Sequence, residues 1–202
     1  MPLQDDPVIE QRTCYYLTFN VVEWIDIFVR PVFKQIIVES LNHFIEKKGL
    51  TVYAWCLMSN HLHLVAQTRH GFGLLQLADE FKKFTTKIIL EDIDAEPEVR
   101  RKWMMKKFEE ASKAMKHLDK FQVWQAPVNS AYIDLSDADA FDEQVEFIHK
   151  NPVRDRIVAH AEDYLHSSAR DYFGIKGLVD VCIPTHTMES KFIVRHISSY
   201  KR

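Results

Sequence analysis

His61 and His63 stand one residue apart in Met58-Ser59-Asn60-His61-Leu62-His63-Leu64-Val65, a spacing that suits a β-strand with two unlike faces. Strand side chains alternate with a period of two, so both imidazoles project to one side while Leu62 and Leu64 pack on the other. Two imidazoles on one face can reach a single metal ion; the same pattern also occurs in ordinary strands that hold none. Ser59-Asn60 reads as a turn, and Thr51 to Leu57 before it as a strand pairing back on His61 to Gln67.

Around this hairpin the helical and strand periods alternate. Cys14 to Val22, rich in β-branched and aromatic residues, reads as a first strand. Next, Phe28 to Lys48 opens with Arg30-Pro31, a favourable helix start, places Phe33, Ile36, Ile37, Leu41, Phe44 and Ile45 on one helical stripe, and is ended by Gly49. A second helix is expected from about Leu74 to Leu90, with Leu74, Leu77, Phe81, Phe84 and Ile88 facing the core. A third, inserted at about 98–118, spaces Met104, Phe108, Ala111, Met115 and Leu118 as a packing stripe. Phe121 to Trp124 and Ala131 to Leu135 read as short strands. Asp137 then caps a helix that turns Phe141, Val145 and Ile148 inward and is expected to stop before Pro152. The order β-α-β-β-α, inserted helix, β, α predicts an α+β fold: an antiparallel sheet with helices on one face, the split βαβ or ferredoxin-like plan. Residues 1–12 read as an extension, 13–175 as the domain and 176–202 as a tail without a clear period.

Composition narrows the class. A chain of 202 residues with 47% hydrophobic and 12% aromatic content can bury a core and is not a disordered polymer. No run is long and apolar enough to cross a bilayer, and the start lacks the features of a secretory signal, so the expected location is cytoplasmic with no membrane partner. Cys14, Cys56 and Cys182 are widely spaced and odd in number, which reads as reduced, buried thiols. The net charge of -3 excludes a surface built wholly to wrap nucleic acid, yet the basic middle from Lys82 to Lys107 leaves room for a local patch or for solvated helix faces.

The last helix supplies a partner for the histidine pair. Phe147 and Asn151 are four residues apart, hence on one face, flanking the stripe of Phe141, Val145 and Ile148. Where this helix packs over the strand of His61 and His63, the Asn151 carboxamide oxygen completes a three-ligand set suited to Mg²⁺ or Mn²⁺ acting on a phosphate. An asparagine before proline also serves simply to close a helix end.

Five separated segments, Ala54 to Val65, Phe81 to Thr85, Val123 to Gln125, Phe147 to Val153 and Tyr164 to Tyr172, resemble in order the single-tyrosine HUH transposases, and among them the REP-associated tyrosine transposase branch. The resemblance covers about Tyr15 to Val181. It implies an HUH endonuclease type of fold and an enzyme that cuts and rejoins single-stranded or hairpin DNA, as a monomer or a homodimer. His61, His63 and Asn151 become the ligands of Mg²⁺ or Mn²⁺. The attacking tyrosine, which leaves a 5′-phosphotyrosine and a free 3′-hydroxyl, maps onto Phe147.

Phenylalanine fills that position without the hydroxyl, so this chain is expected to be defective in cleavage by the family route. Tyr132, Tyr164 and Tyr172 lie in other segments and offer poor replacement. Either a natural loss, as in a decaying or domesticated copy, or a deliberate replacement accounts for the change. Lys82, Lys83, Lys87, Arg154, Arg156 and Arg170 are candidate phosphate contacts, and Trp55, Trp103 and Trp124 candidate base-stacking residues, with core packing the better reading for Trp55 and Trp124. The alternative function is a non-catalytic, hairpin-binding regulatory protein.

Overall fold

The computed structural model describes residues 13–68, 73–95, 100–114 and 120–184. Four strands, β1 (Thr13–Asn20), β2 (Leu50–Leu57), β3 (His61–Thr68) and β4 (Asn129–Asp134), form one antiparallel sheet in the order β2-β3-β1-β4. This is the strand order of the split βαβ plan. It follows from α1 (Pro31–Lys48) joining β1 to the far edge, and α2 (Leu74–Ala95) with α3 (Arg101–Ala114) leading to the opposite edge. Pro31 opens α1 where its missing N–H costs nothing, and Gly49 closes it at φ 71°, sending its N–H back to the Phe44 carbonyl.

Strand alternation divides the molecule into two cores. Leu17, Phe19, Leu62, Leu64 and Trp55 face α1 and α2, where they meet Ile37, Leu41, Phe44 and Phe81. Cys14, Cys56 and Val65 face the other way, against Phe141, Val145 and Ile148 of α4 (Ala138–Arg154). The α+β antiparallel plan is therefore present, and α1 and α2 share one face as expected. The last helix instead covers the opposite face, because the apolar residues of β2 and β3 on that side also need burial. Each of the three anchors buried on α4 contributes about 1.5–3 kcal/mol, which fixes the helix rotation and hence where Phe147 and Asn151 point. Asp137 caps α4 by accepting from the Ala140 N–H at 3.0 Å.

Several local expectations are corrected. Phe121 to Trp124 is not a strand: β1 ends at Asn20, leaving no ladder to join beyond one bridge between Val21 and Trp124, and the Gln122 N–H goes to the Phe108 carbonyl instead. Phe84 is 37% exposed and stacks on His43, while Thr85 and Ile89 take the buried positions that continue the stripe from Phe81. Helix α4 does not stop before Pro152 but runs through it to Arg154, since proline removes a single backbone donor there and the turn still closes from the Asp155 N–H to the Asn151 carbonyl. In α3, Met104 and Phe108 are buried as expected; Met115 and Leu118 lie outside the described residues. Cys14 and Cys56 are buried free thiols, but Cys182 is exposed, because its segment is pinned by a backbone bond to Val52 that leaves the side chain outward. Val179, in the expected tail, is fully buried in the larger core. No helix among the described residues is long and apolar enough to cross a membrane.

Candidate active site

The Ser59-Asn60 turn delivers β3 with His61 and His63 on the face covered by α4, their ring centroids 4.7 Å apart and nearly perpendicular at 77°. Each imidazole has a partner at Nδ1. Asn60 donates from Nδ2 to the Trp24 carbonyl at 3.2 Å, which turns its own Oδ1 toward His61 Nδ1 at 2.7 Å. An amide oxygen only accepts, so His61 carries its proton on Nδ1 and presents a free lone pair at Nε2. The register pairs Thr18 with His63, so the neighbouring same-face residue of β1, Tyr16, also reaches this site. Tyr16 Oη lies 2.7 Å and Thr18 Oγ1 3.2 Å from His63 Nδ1, and both hydroxyls can accept from an Nδ1–H.

From above, α4 brings the Phe147 ring to 6.0 Å from the His63 ring and 6.3 Å from that of Tyr16, edge-on to both. The Arg154 guanidinium lies 4.6 Å over the Phe147 ring. Asn151 follows one helical turn after Phe147, and its Nδ2 is buried with no hydrogen-bond partner.

Burial lowers the pKa of both imidazoles. For His61 this is partly opposed by the Asp155 carboxylate; His63 is pushed down to about 3, chiefly by burial and then by its neighbour His61. Both are therefore neutral near pH 7, the form that can ligate a metal. Among the described residues no three His, Cys, Asp or Glu side chains cluster as a metal site. On the same flank of α4, the Asn151 amide oxygen is a neutral acceptor that could complete a donor set with the two imidazole nitrogens; its buried, unpartnered Nδ2 is a hydrogen-bond donor and does not ligate a cation. Two nitrogens and an amide oxygen suit a divalent ion that keeps open positions.

The structure thus brings His61, His63, Phe147 and Arg154 together, with Asn151 on the same flank of α4. Lys82, Lys83 and Lys87 lie across the sheet, on α2. There they line a groove of about 810 Å³ with Lys120, Phe121, Gln122 and Trp124, and Lys82 is paired to Asp79 at 2.7 Å. Arg156 follows α4 at φ 59°, and Arg170 lies on the short helix α5 (Ala169–Tyr172), its Nε buried without a partner. Trp55 and Trp124 are core residues, and Trp103 is exposed. Sequence reasoning missed Tyr16, Thr18, Asn60 and Trp24. The signal for the first two was the β1 alternation, legible only once β1 is registered on β3.

The family described as "Transposase IS200 like" matches residues 14–125, more than half of the chain. The chain belongs to that family of transposases. The transposase shares its fold with a REP-associated tyrosine transposase solved bound to a REP hairpin, at 15% identity, 92% of this chain, 96% of that one and a TM-score of 0.57. A putative transposase from Deinococcus radiodurans aligns over 72% of this chain and 97% of its own, at 10% identity and a TM-score of 0.43. No curated protein matches this transposase.

Proposed function

We propose that this transposase binds single-stranded or hairpin DNA, as expected for the REP-associated branch, at a Mg²⁺ or Mn²⁺ site made by His61, His63 and Asn151, and that it is defective in cleavage through position 147. The observation that carries the reading is the Phe147 ring standing 6.0 Å from His63, with Arg154 over it. A tyrosine there would place a hydroxyl beside the imidazole pair; phenylalanine keeps the shape and lacks the oxygen. The similar structure described as bound to a REP hairpin supports DNA as the partner.

Within this reading, His61, His63 and Asn151 would hold a divalent ion, whose charge would polarise the scissile phosphate. The chain's own groups do the rest. Asn60 holds His61 with Nε2 free, Tyr16 and Thr18 hold His63, and the Arg154 guanidinium offers a phosphate a paired contact. Lys83, Lys87, Arg156 and Arg170 supply charge to the rest of the strand. Without cleavage, such a protein acts as a hairpin-binding regulator.

A second reading is favoured by one observation, the Tyr16 hydroxyl at 2.7 Å from His63 Nδ1. The hydroxyls of Tyr164 and Tyr172 are instead spent on the Leu57 and Tyr53 carbonyls. In this reading the Tyr16 oxygen bonds the phosphorus as the P–O3′ bond breaks; the phenolic proton leaves to solvent and the 3′-oxygen takes one up. Incubating the protein with Mn²⁺ and a single-stranded hairpin, then resolving covalent adducts on a denaturing gel, separates the two. No adduct from the unaltered chain and one from Phe147→Tyr supports the first. An adduct from the unaltered chain that disappears in Tyr16→Phe supports the second.

A further inference from the structure

We propose that Trp24 is the platform on which the unpaired base next to the bound phosphate stacks, an inference that rests on DNA reaching the imidazole pair. Trp24 is 56% exposed, whereas Trp55 and Trp124 are buried in the core. Its indole and the His61 ring stand nearly perpendicular, centroids 6.1 Å apart at 80°, so the two are not stacked in parallel. The imidazole pair therefore lies between two exposed aromatic rings, Trp24 beside His61 and Phe147, 39% exposed, beside His63.

The backbone that presents this indole is strained. Glu23 and Trp24 are consecutive non-glycine residues at φ 54° and 55°, in the left-handed region. Such a conformation persists only where neighbours enforce it, and it concentrates at sites where the displaced side chain has a use. Here the Trp24 N–H donates to the Val21 carbonyl at 3.1 Å, the Val21 N–H to the Asn60 carbonyl at 2.9 Å, and Asn60 Nδ2 to the Trp24 carbonyl. The same Asn60 amide holds His61. Beyond the indole, Ile25, Ile27 and Phe28 are buried and anchor the segment. One asparagine thus ties the orientation of a metal-ligand candidate to that of an exposed indole. An exposed indole on an anchored backbone, next to the proposed phosphate site, has the chemistry of a base-stacking surface, which tolerates any base but needs that base unpaired. A paired stem keeps its bases stacked within the duplex, so the ligand is a nucleobase of the single-stranded flank.

The test measures binding of the full chain, with Mn²⁺, to two fluorescent oligonucleotides: a hairpin with mixed-sequence unpaired flanks and the same hairpin with blunt ends. Trp24→Ala is expected to weaken the flanked hairpin about 5- to 150-fold and leave the blunt one unchanged, with Trp24→Phe retaining most of the affinity. An abasic nucleotide at the contacted flank position should remove the difference between the unaltered chain and Trp24→Ala. Equal weakening of both hairpins, or no weakening of either while the urea midpoint is unchanged, overturns the stacking role. Failure of the unaltered protein to bind either oligonucleotide overturns the DNA reading and this inference together.

Discussion

The hydroxyl of Tyr16 lies 2.7 Å from Nδ1 of His63, so one candidate metal ligand is oriented by a phenol from the neighbouring strand. A ligand's outer partner fixes its tautomer and ring position, and its loss typically costs ~10- to 100-fold in metal affinity. Tyr16→Phe should weaken Mn²⁺ binding, measured by calorimetry, by about tenfold, because Thr18 still stands at 3.2 Å. Unchanged affinity would show that the contact has no bearing on metal binding.

On the proposed reading, the groove on the far side of the sheet meets DNA through charge. Lys83, Lys87 and Lys120 line it. Each phosphate contact releases counterions, so replacing any of the three with alanine should lower the slope of log affinity against log salt by about 1, and to a similar degree for any DNA sequence. A slope that stays fixed in all three variants would place the strand elsewhere.

Acid should destabilise the fold in a way that His166 reports. Burial, with a smaller contribution from Lys34, pushes its imidazole from 6.5 down to about 4. Below pH 6.5 the unfolded chain takes up a proton that the folded one refuses, so stability falls as pH drops from 6.5 toward 4. The limit is about 1.4 kcal/mol per pH unit, less whatever solvent screening removes. Urea unfolding across this range should show a shallower acid limb in His166→Gln than in the unaltered chain.

Ser168 joins α4 to the edge strand β2. Its Oγ accepts the Trp55 N–H at 2.9 Å and lies 2.8 Å from His149 Nε2, all three groups being buried. Ser168→Ala leaves the buried Trp55 N–H without this acceptor, at a cost of about 1–3 kcal/mol, and removes the His149 contact as well. The expected loss, read as a shift in urea midpoint, is therefore larger than for exposed Ser136, whose bond to half-buried Asp134 lies at the surface.

What was legible in the sequence was whatever a local period dictates. The His61/His63 alternation, the Pro31 and Gly49 limits of α1, the Asp137 cap and the Phe141, Val145, Ile148 stripe all appear where their spacing puts them. What stayed hidden depends on which strand lies beside which. The place of Tyr16 needs the pairing of Thr18 with His63, and the face taken by α4 depends on which side of the sheet α1 and α2 leave bare. Trp24 was invisible because nothing in Glu23-Trp24 marks two residues for the left-handed region; that conformation is imposed by Asn60 and Val21. Phe121 to Trp124 has the composition of a strand but meets the chain just past β1 in only one isolated bridge, Val21 to Trp124, too short to make a ladder.

Phe147 is proposed to stand at the position of the attacking residue beside a metal-competent imidazole pair. Phe147→Tyr, incubated with Mn²⁺ and a single-stranded hairpin, tests that placement. A covalent protein–DNA adduct is expected, abolished by EDTA and lost again when His63→Ala is added. A Phe147→Tyr protein that binds both the metal and the hairpin, yet forms no adduct, would contradict it.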